Sequence, residues 1–187
     1  MRPDLAVCYG QERLPRYTSY PTAPHFSFGI GQTQYADWLK AIPVPATASL
    51  YLHVPFCRQM CWYCGCHTTV AKRDAPIAVY EAALRCEVDL VAQQIGRRLT
   101  VEHIHFGGGT PTIMAPQSFT DLIGLIRHAF FVVPTAEIAV ESDPRTLAFE
   151  MIGALALGGV NRVSLGVQSF DPVVQQAINR VQSFEET

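Results

Sequence analysis

Charge is scarce in this 187-residue sequence: 14 lysines and arginines stand against 16 aspartates and glutamates, for a net charge of −2. A chain so weakly and evenly charged carries no field to gather nucleic acid or an anionic lipid surface, so neither is expected as a partner. Long apolar runs are missing too. Nothing approaches the roughly 18 consecutive apolar residues that span a bilayer. The N-terminal stretch MRPDLAVCYGQERLPRYTSY lacks the apolar core of a secretion signal. A cytoplasmic location is the expectation. What the sequence does have is apolar content, 49% of residues, in a chain long enough for one domain or slightly more. That excludes a disordered or collagen-like polymer and predicts a large core.

Residues 1–31 are interrupted by proline and glycine and show no sustained periodicity, which predicts an extended leader; Gln32–Ile42 fits a short helix. The expected organisation is therefore a leader with its helix over 1–48 and a core over 49–187. Within the core, apolar runs alternate with amphipathic segments, the order of an α/β fold with parallel strands. Strands are predicted at Ser49–Val54, Glu102–Phe106, Glu137–Glu141 and Arg162–Val167. The strongest helix begins near Pro76, where Ile77, Tyr80, Leu84, Val88, Val91 and Ile95 recur at spacings of three and four. Phe119, Leu122, Ile123 and Ile126 mark a second helix, and further helices are expected near Leu147–Leu157 and Pro172–Ile178.

Parallel strands joined by helices bring their C-terminal ends to one edge of the sheet, where the active sites of such folds gather. Every unusual loop here follows a strand: the cysteine loop, the glycine run Gly107–Gly109, Glu141 with Asp143, and Gln168 with Ser169. They should line one rim. Four β/α units do not close a barrel, so the fold reads as a partial (β/α) barrel. Its fourth strand would leave a bare edge, and the chain is expected to be cut short.

Cysteine is sparse, six residues in all, yet four of them fall between positions 57 and 66. Such close spacing without a secretion signal points to metal ligation and away from a disulfide framework. A structural zinc site needs a second pair of thiols or histidines well downstream, and none follows. Cys57, Cys61 and Cys64, spaced C-x3-C-x2-C, suit three irons of a 4Fe-4S cube and leave the fourth iron open. Cys8 and Cys86 stand apart and read as ordinary buried or free thiols.

The spacing Cys57, Cys61, Cys64 with an aromatic at Tyr63 resembles the signature of radical S-adenosylmethionine (SAM) enzymes. In them SAM chelates the open iron and is split by an electron from the cluster. Five further segments narrow the resemblance to the N-terminal portion of the oxygen-independent coproporphyrinogen III oxidases. They are RYTSYPTA (16–23), YLHVPFCRQMCWYCGC (51–66), HFGGGTPT (105–112), ESDPRT (141–146) and NRVSLGVQSFDPVVQQAINRVQSFEET (161–187). The resemblance implies oxidative decarboxylation of two propionates of coproporphyrinogen III to vinyl groups, giving protoporphyrinogen IX in haem synthesis. It also implies a 4Fe-4S cluster, two SAM molecules, an unidentified electron donor and a monomer.

Carried over residue by residue, the resemblance makes Cys57, Cys61 and Cys64 the cluster ligands. It gives SAM contacts to Tyr51, Tyr63, Gly108, Gly109, Thr110, Glu141, Gln168 and Arg180. Tyr63 would meet adenine, with loop packing as its plainer role; Gly108, Gly109 and Thr110 would meet the amino and carboxylate end. Cys66 matches a fourth family cysteine that does not bind the cluster, and a reactive thiol and a structural one are both open for it. His53, on the strand face of Tyr51, is either a proton carrier at the site or a satisfied structural histidine. His103 and His105 share a sheet face and are expected to pack; Asp143, Pro144 and Arg145 read as a helix-starting turn. Family members run to more than twice this length. Two alternatives therefore stay beside the oxidase: a haem chaperone, and a non-catalytic iron–sulfur or haem-binding remnant.

Overall fold

The computed structural model describes Thr22 and residues 25–187. Cys8, and all of the 16–23 segment except Thr22, lie outside the described residues. The chain divides into two compact units, Met1–Tyr35 and Ala36–Thr187. In the first, Thr22 Oγ1 and His25 Nδ1 are hydrogen-bonded at 2.8 Å. Helix α1 spans Gln32–Lys40, two residues shorter at its C-terminus than the sequence suggests.

The second unit is built on a four-stranded parallel sheet whose strands, in spatial order, are β1 (Thr47–Val54), β4 (Thr100–Gly108), β5 (Phe131–Ser142) and β6 (Arg162–Leu165). Strand β1 (Thr47–Val54) leads into a small parallel pair, β2 (Phe56–Cys57) and β3 (Thr69–Val70), which brackets the cysteine loop. Helix α2 (Ala75–Ile95), strand β4 (Thr100–Gly108), helix α3 (Pro116–Ala129) and strand β5 (Phe131–Ser142) follow. Helix α4 (Phe149–Gly158), strand β6 (Arg162–Leu165) and helix α5 (Pro172–Ala177) complete it. The α/β reading with four parallel strands therefore holds.

Strand β5 begins six residues before the predicted Glu137. Phe131 and Val132 pair with Thr100 and Val101, and pairing resumes at Glu137 opposite His103. Pro134, which cannot donate to the ladder, sits in the irregular stretch between and hides the earlier pairing from a sequence reading. Strand β6 is two residues shorter than predicted: its pairing with β5 ends at Leu165 opposite Ser142, closed by the bond from Gly166 N to Ser142 O.

Alternation sorts the strands into two faces. Leu52, Val54, Ile104, Phe106, Ile138 and Val140 point to one side and are buried under the helices. The helices answer with Ile77, Leu84 and Ile95 from α2, Phe119, Leu122, Ile123 and Ile126 from α3, and Met151, Ala154 and Leu155 from α4. Tyr80, Val88 and Val91 pack against this core while partly exposed. The opposite face carries Tyr51, His53, His103, His105, Glu137, Glu141, Arg162 and Ser164, all half-buried or exposed. Helices on one face and polar groups on the other are what a partial (β/α) barrel produces. Among the described residues no helix is long and apolar enough to cross a membrane.

Candidate active site

The site grows from the way two loops lie against each other at the C-terminal edge of the sheet. Gly109 N donates to Val54 O at 2.9 Å and Thr110 N to Phe56 O at 2.8 Å, so the glycine loop runs beside the entry to the cysteine loop. Such an approach leaves no room for a side chain. A Cβ on Gly109 would sit 2.5 Å from both Phe56 O and Thr68 Oγ1. Gly108 has φ 117°, a backbone angle that glycine alone adopts freely. The cysteine loop is closed by Thr69 N to Pro55 O (2.7 Å) and Ala71 N to Cys57 O (2.9 Å), and Arg58 ties it to Ala71 O and to Asp74.

These loops wall a cleft of about 290 Å³. Cys57, Cys61, Cys64 and Cys66 line it together with Tyr63, Gly108, Gly109 and Thr110; Glu141, Gln168 and Arg180 complete the walls. All ten metal and cofactor candidates other than Tyr51, from the cysteine loop, the glycine loop, the end of β5 and the segments after β6 and α5, thus share one space with Cys66. Ser169 instead accepts from Asp171 N, in the loop that leads into α5. Cys86 is an exposed free thiol on α2.

The sulfurs have distinct surroundings. Cys57 Sγ lies 3.3 Å from Thr110 Oγ1 and 3.5 Å from Thr68 Oγ1. Cys61 Sγ accepts from Arg180 Nη1 at 3.5 Å and from Arg145 Nη2 at 3.7 Å. Both arginines are held by Asp143, which takes Arg145 Nη2 at 2.6 Å and Arg180 Nη2 at 3.2 Å. Asp143 also accepts from Arg145 N at the start of a 3₁₀ turn, Pro144–Thr146, so the turn read from the sequence is also part of the site. Asn179 completes the enclosure: it donates to Met60 O and accepts from Gln59 Nε2, in the left-handed conformation that asparagine tolerates.

Tyr51 and His53 lie on the open sheet face, outside the cleft walls. Tyr51 Oη and His53 Nδ1 are 3.1 Å apart, and His53 Nε2 meets His67 O at 2.9 Å, so both ring nitrogens have partners. His105 does more than pack. It stacks on Tyr51 at 5.7 Å between ring centroids, and its Nε2 lies 3.2 Å from Glu141 Oε1. Glu141 Oε2 accepts from Gly108 N at 3.2 Å, so the carboxylate bridges the histidine and the glycine loop.

Several groups titrate away from their ordinary values. Burial raises the Tyr51 phenol, with the Glu141 carboxylate adding to it. Burial raises the Cys66 thiol, helped by Cys64 alongside, so it stays protonated at neutral pH. Burial would raise Asp143 as well, but hydrogen bonds from Arg145 and the charges of Arg180 and Arg145 outweigh it and hold the carboxyl below 3.8. A depressed folded-state value stabilises the protein above the unfolded pKa and is lost as pH falls through the folded one. Asp143→Asn is expected to cost about 3 kcal/mol at neutral pH, by stranding two buried guanidinium groups. The difference from the parent narrows below about pH 4, which urea midpoints at pH 7 and pH 3 measure.

The donor set suits an iron–sulfur cluster. Among the described residues no three Cys, His, Asp or Glu converge on a single ion. Three thiols spread along one cleft, two of them receiving O–H or N–H donors, match the outer-shell bonding of thiolate ligands to a polynuclear group.

Fold and cleft together define a parallel α/β protein of the partial-barrel kind with a cysteine-lined cleft at the C-terminal edge of its sheet. The chain belongs to the radical SAM superfamily, whose family model matches residues 51–187. It is 68% identical over its whole length to the oxygen-independent coproporphyrinogen III oxidase of Bradyrhizobium diazoefficiens, covering 42% of that protein. The enzyme of the same name from Paracoccus denitrificans is 45% identical over 94% of this chain and 39% of its own. A solved structure of coproporphyrinogen III oxidase from Escherichia coli, described as a radical SAM enzyme, superposes with a TM-score of 0.83 at 36% identity. It covers 91% of this chain and 39% of that one. The chain therefore spans about two fifths of the length of these relatives.

Proposed function

We propose that this chain provides the cluster- and SAM-binding part of an oxygen-independent coproporphyrinogen III oxidase. The observation that carries the reading is one cleft walled by three C-x3-C-x2-C thiols, the glycine loop and Glu141. Cys57, Cys61 and Cys64 hold the 4Fe-4S cluster. Bound together, cluster and SAM supply one-electron cleavage of a sulfonium and hence abstraction of a hydrogen atom from a substrate propionate.

The chain's own residues bind and orient. Gly108, Gly109 and Thr110 offer a backbone that a ligand's amino and carboxylate groups can approach, and Glu141, fixed by His105 and Gly108 N, accepts from a ribose or amine. Tyr63 presents a half-exposed ring for adenine, and Gln168 and Arg180, which line the same cleft with Arg180 against Cys61, are further SAM contacts, to a second SAM where two are bound. Tyr51, held by His53 and stacked on His105, faces the open side of the sheet, from which the porphyrinogen approaches. Cys66, protonated and exposed at the wall, is the thiol that meets substrate. Each propionate loses CO2, a proton and two electrons: one electron leaves with the abstracted hydrogen atom and the second needs an acceptor, while the electron that cleaves SAM has to come from an external donor to the cluster.

The test is anaerobic reconstitution followed by dithionite and SAM. Release of methionine and 5′-deoxyadenosine is expected, falling at least tenfold in Glu141→Ala. With coproporphyrinogen III present, the expected product carries vinyl groups in place of two propionates. A stoichiometric haem complex, with neither SAM cleavage nor vinyl product, would replace the oxidase by a haem-binding chaperone.

A further inference from the structure

We propose that Arg145 is a positioning residue that raises the reduction potential of the cluster through Cys61, with Asp143 locking it in place. The inference rests on the reading of Cys57, Cys61 and Cys64 as the cluster ligands. The three cysteines are not treated alike by the fold. Cys61 is the most buried of them, only 9% exposed, and it alone receives cationic donors. Cys57 receives neutral hydroxyls from Thr68 and Thr110.

Arg145 cannot drift from this sulfur. Its Nε and Nη2 both grip the Asp143 carboxylate, at 2.9 and 2.6 Å, and the same Nη2 lies 3.7 Å from Cys61 Sγ, so the grip that fixes the fork also holds it at the sulfur. Asp143 takes Arg180 on the same oxygens, and Gly166 O accepts from Arg180 Nη2, so neither guanidinium is free to swing to solvent. The side chains of Arg145, Asp143 and Arg180 are 13%, 11% and 9% exposed, so water screens them poorly. Two guanidinium groups and one carboxylate leave one net positive charge beside a ligand sulfur.

Reduction adds one electron to the cluster and deepens the negative charge on its thiolates. Charge-assisted N–H···S bonds and a fixed cation favour that more negative state, and hydrogen bonds to ligand sulfurs are among the levers that set iron–sulfur potentials. The fold thus eases electron entry at the ligand farthest from solvent. A purely structural Arg145 would fix the 3₁₀ turn but leave the potential where it was.

The experiment is an equilibrium redox titration of the anaerobically reconstituted chain, read by electron paramagnetic resonance, for the parent, Arg145→Met and Arg145→Lys. Iron and sulfide content are measured on each sample. The expected result is an unchanged cluster with a lower midpoint potential in Arg145→Met, and a smaller shift in the same direction in Arg145→Lys, which keeps the charge but not the fork. An intact cluster with an unchanged midpoint in Arg145→Met would overturn the proposal. So would loss of the cluster in both variants, which would make the role structural. A parent that forms no 4Fe-4S signal would instead overturn the cluster reading beneath it.

Discussion

Cys61→Ser abolishes the 4Fe-4S cluster on reconstitution, while Cys66→Ser and Cys86→Ser retain it. The expectation follows from where the thiols lie. Cys61 is buried in the cleft and is the sulfur that two clamped arginines address. A serine hydroxyl is a poor substitute for a thiolate toward iron, and removing one of three ligands leaves two irons of the cube without protein bonds. Cys66 sits on the same wall, but it falls outside the three-residue spacing, and Cys86 lies exposed on α2. Iron analysis and the visible absorption of the reconstituted samples check all three variants. Equal iron loss in Cys66→Ser and Cys61→Ser would mean that the ligand set is wrongly assigned.

Gly109→Ala is expected to cost about 1–3 kcal/mol through overpacking and to reduce cluster incorporation severalfold. The added Cβ would meet Phe56 O and Thr68 Oγ1 at 2.5 Å and Phe56 C at 2.8 Å. A flexible side chain could give way, but Phe56 presents backbone, and that backbone belongs to β2 immediately before Cys57. The nearest relief is to push β2 outward and carry the first ligand with it. Gly65→Ala is the control, since a Cβ there meets nothing within 4 Å although it lies in the same cysteine loop. Denaturant midpoints and iron content separate the two: Gly109→Ala should fall in both, and Gly65→Ala should stay close to the parent.

The parts of the fold that depend on local pattern were legible in the sequence. SLYLHV alternates buried Leu52 and Val54 with outward Tyr51 and His53, and the stripe from Ile77 to Ile95 turns onto the sheet as its spacing requires. The rim was legible too, because parallel strands force the loops after β1, β4, β5 and β6 to one edge, where the structure gathers Cys57, Gly109, Glu141 and Gln168. What stayed hidden depends on contacts between distant residues. Arg145 and Arg180 reach Cys61 across 84 and 119 positions, and neither spacing nor periodicity encodes which sulfur a guanidinium will meet. DPRT looks like a helix-starting turn because it is one; its second task appears only once β5 delivers Asp143 to the cleft. His105 was read as a packing residue because its partner, Glu141, lies one strand away in space and 36 residues on in sequence.

If three cysteines of this cleft hold a cluster with one iron open to SAM, electron paramagnetic resonance detects the open iron. The chain is reconstituted anaerobically with iron and sulfide, reduced with dithionite and measured with and without SAM. The expected result is a 4Fe-4S signal whose g values shift when SAM is added. A cluster signal that ignores SAM would contradict it.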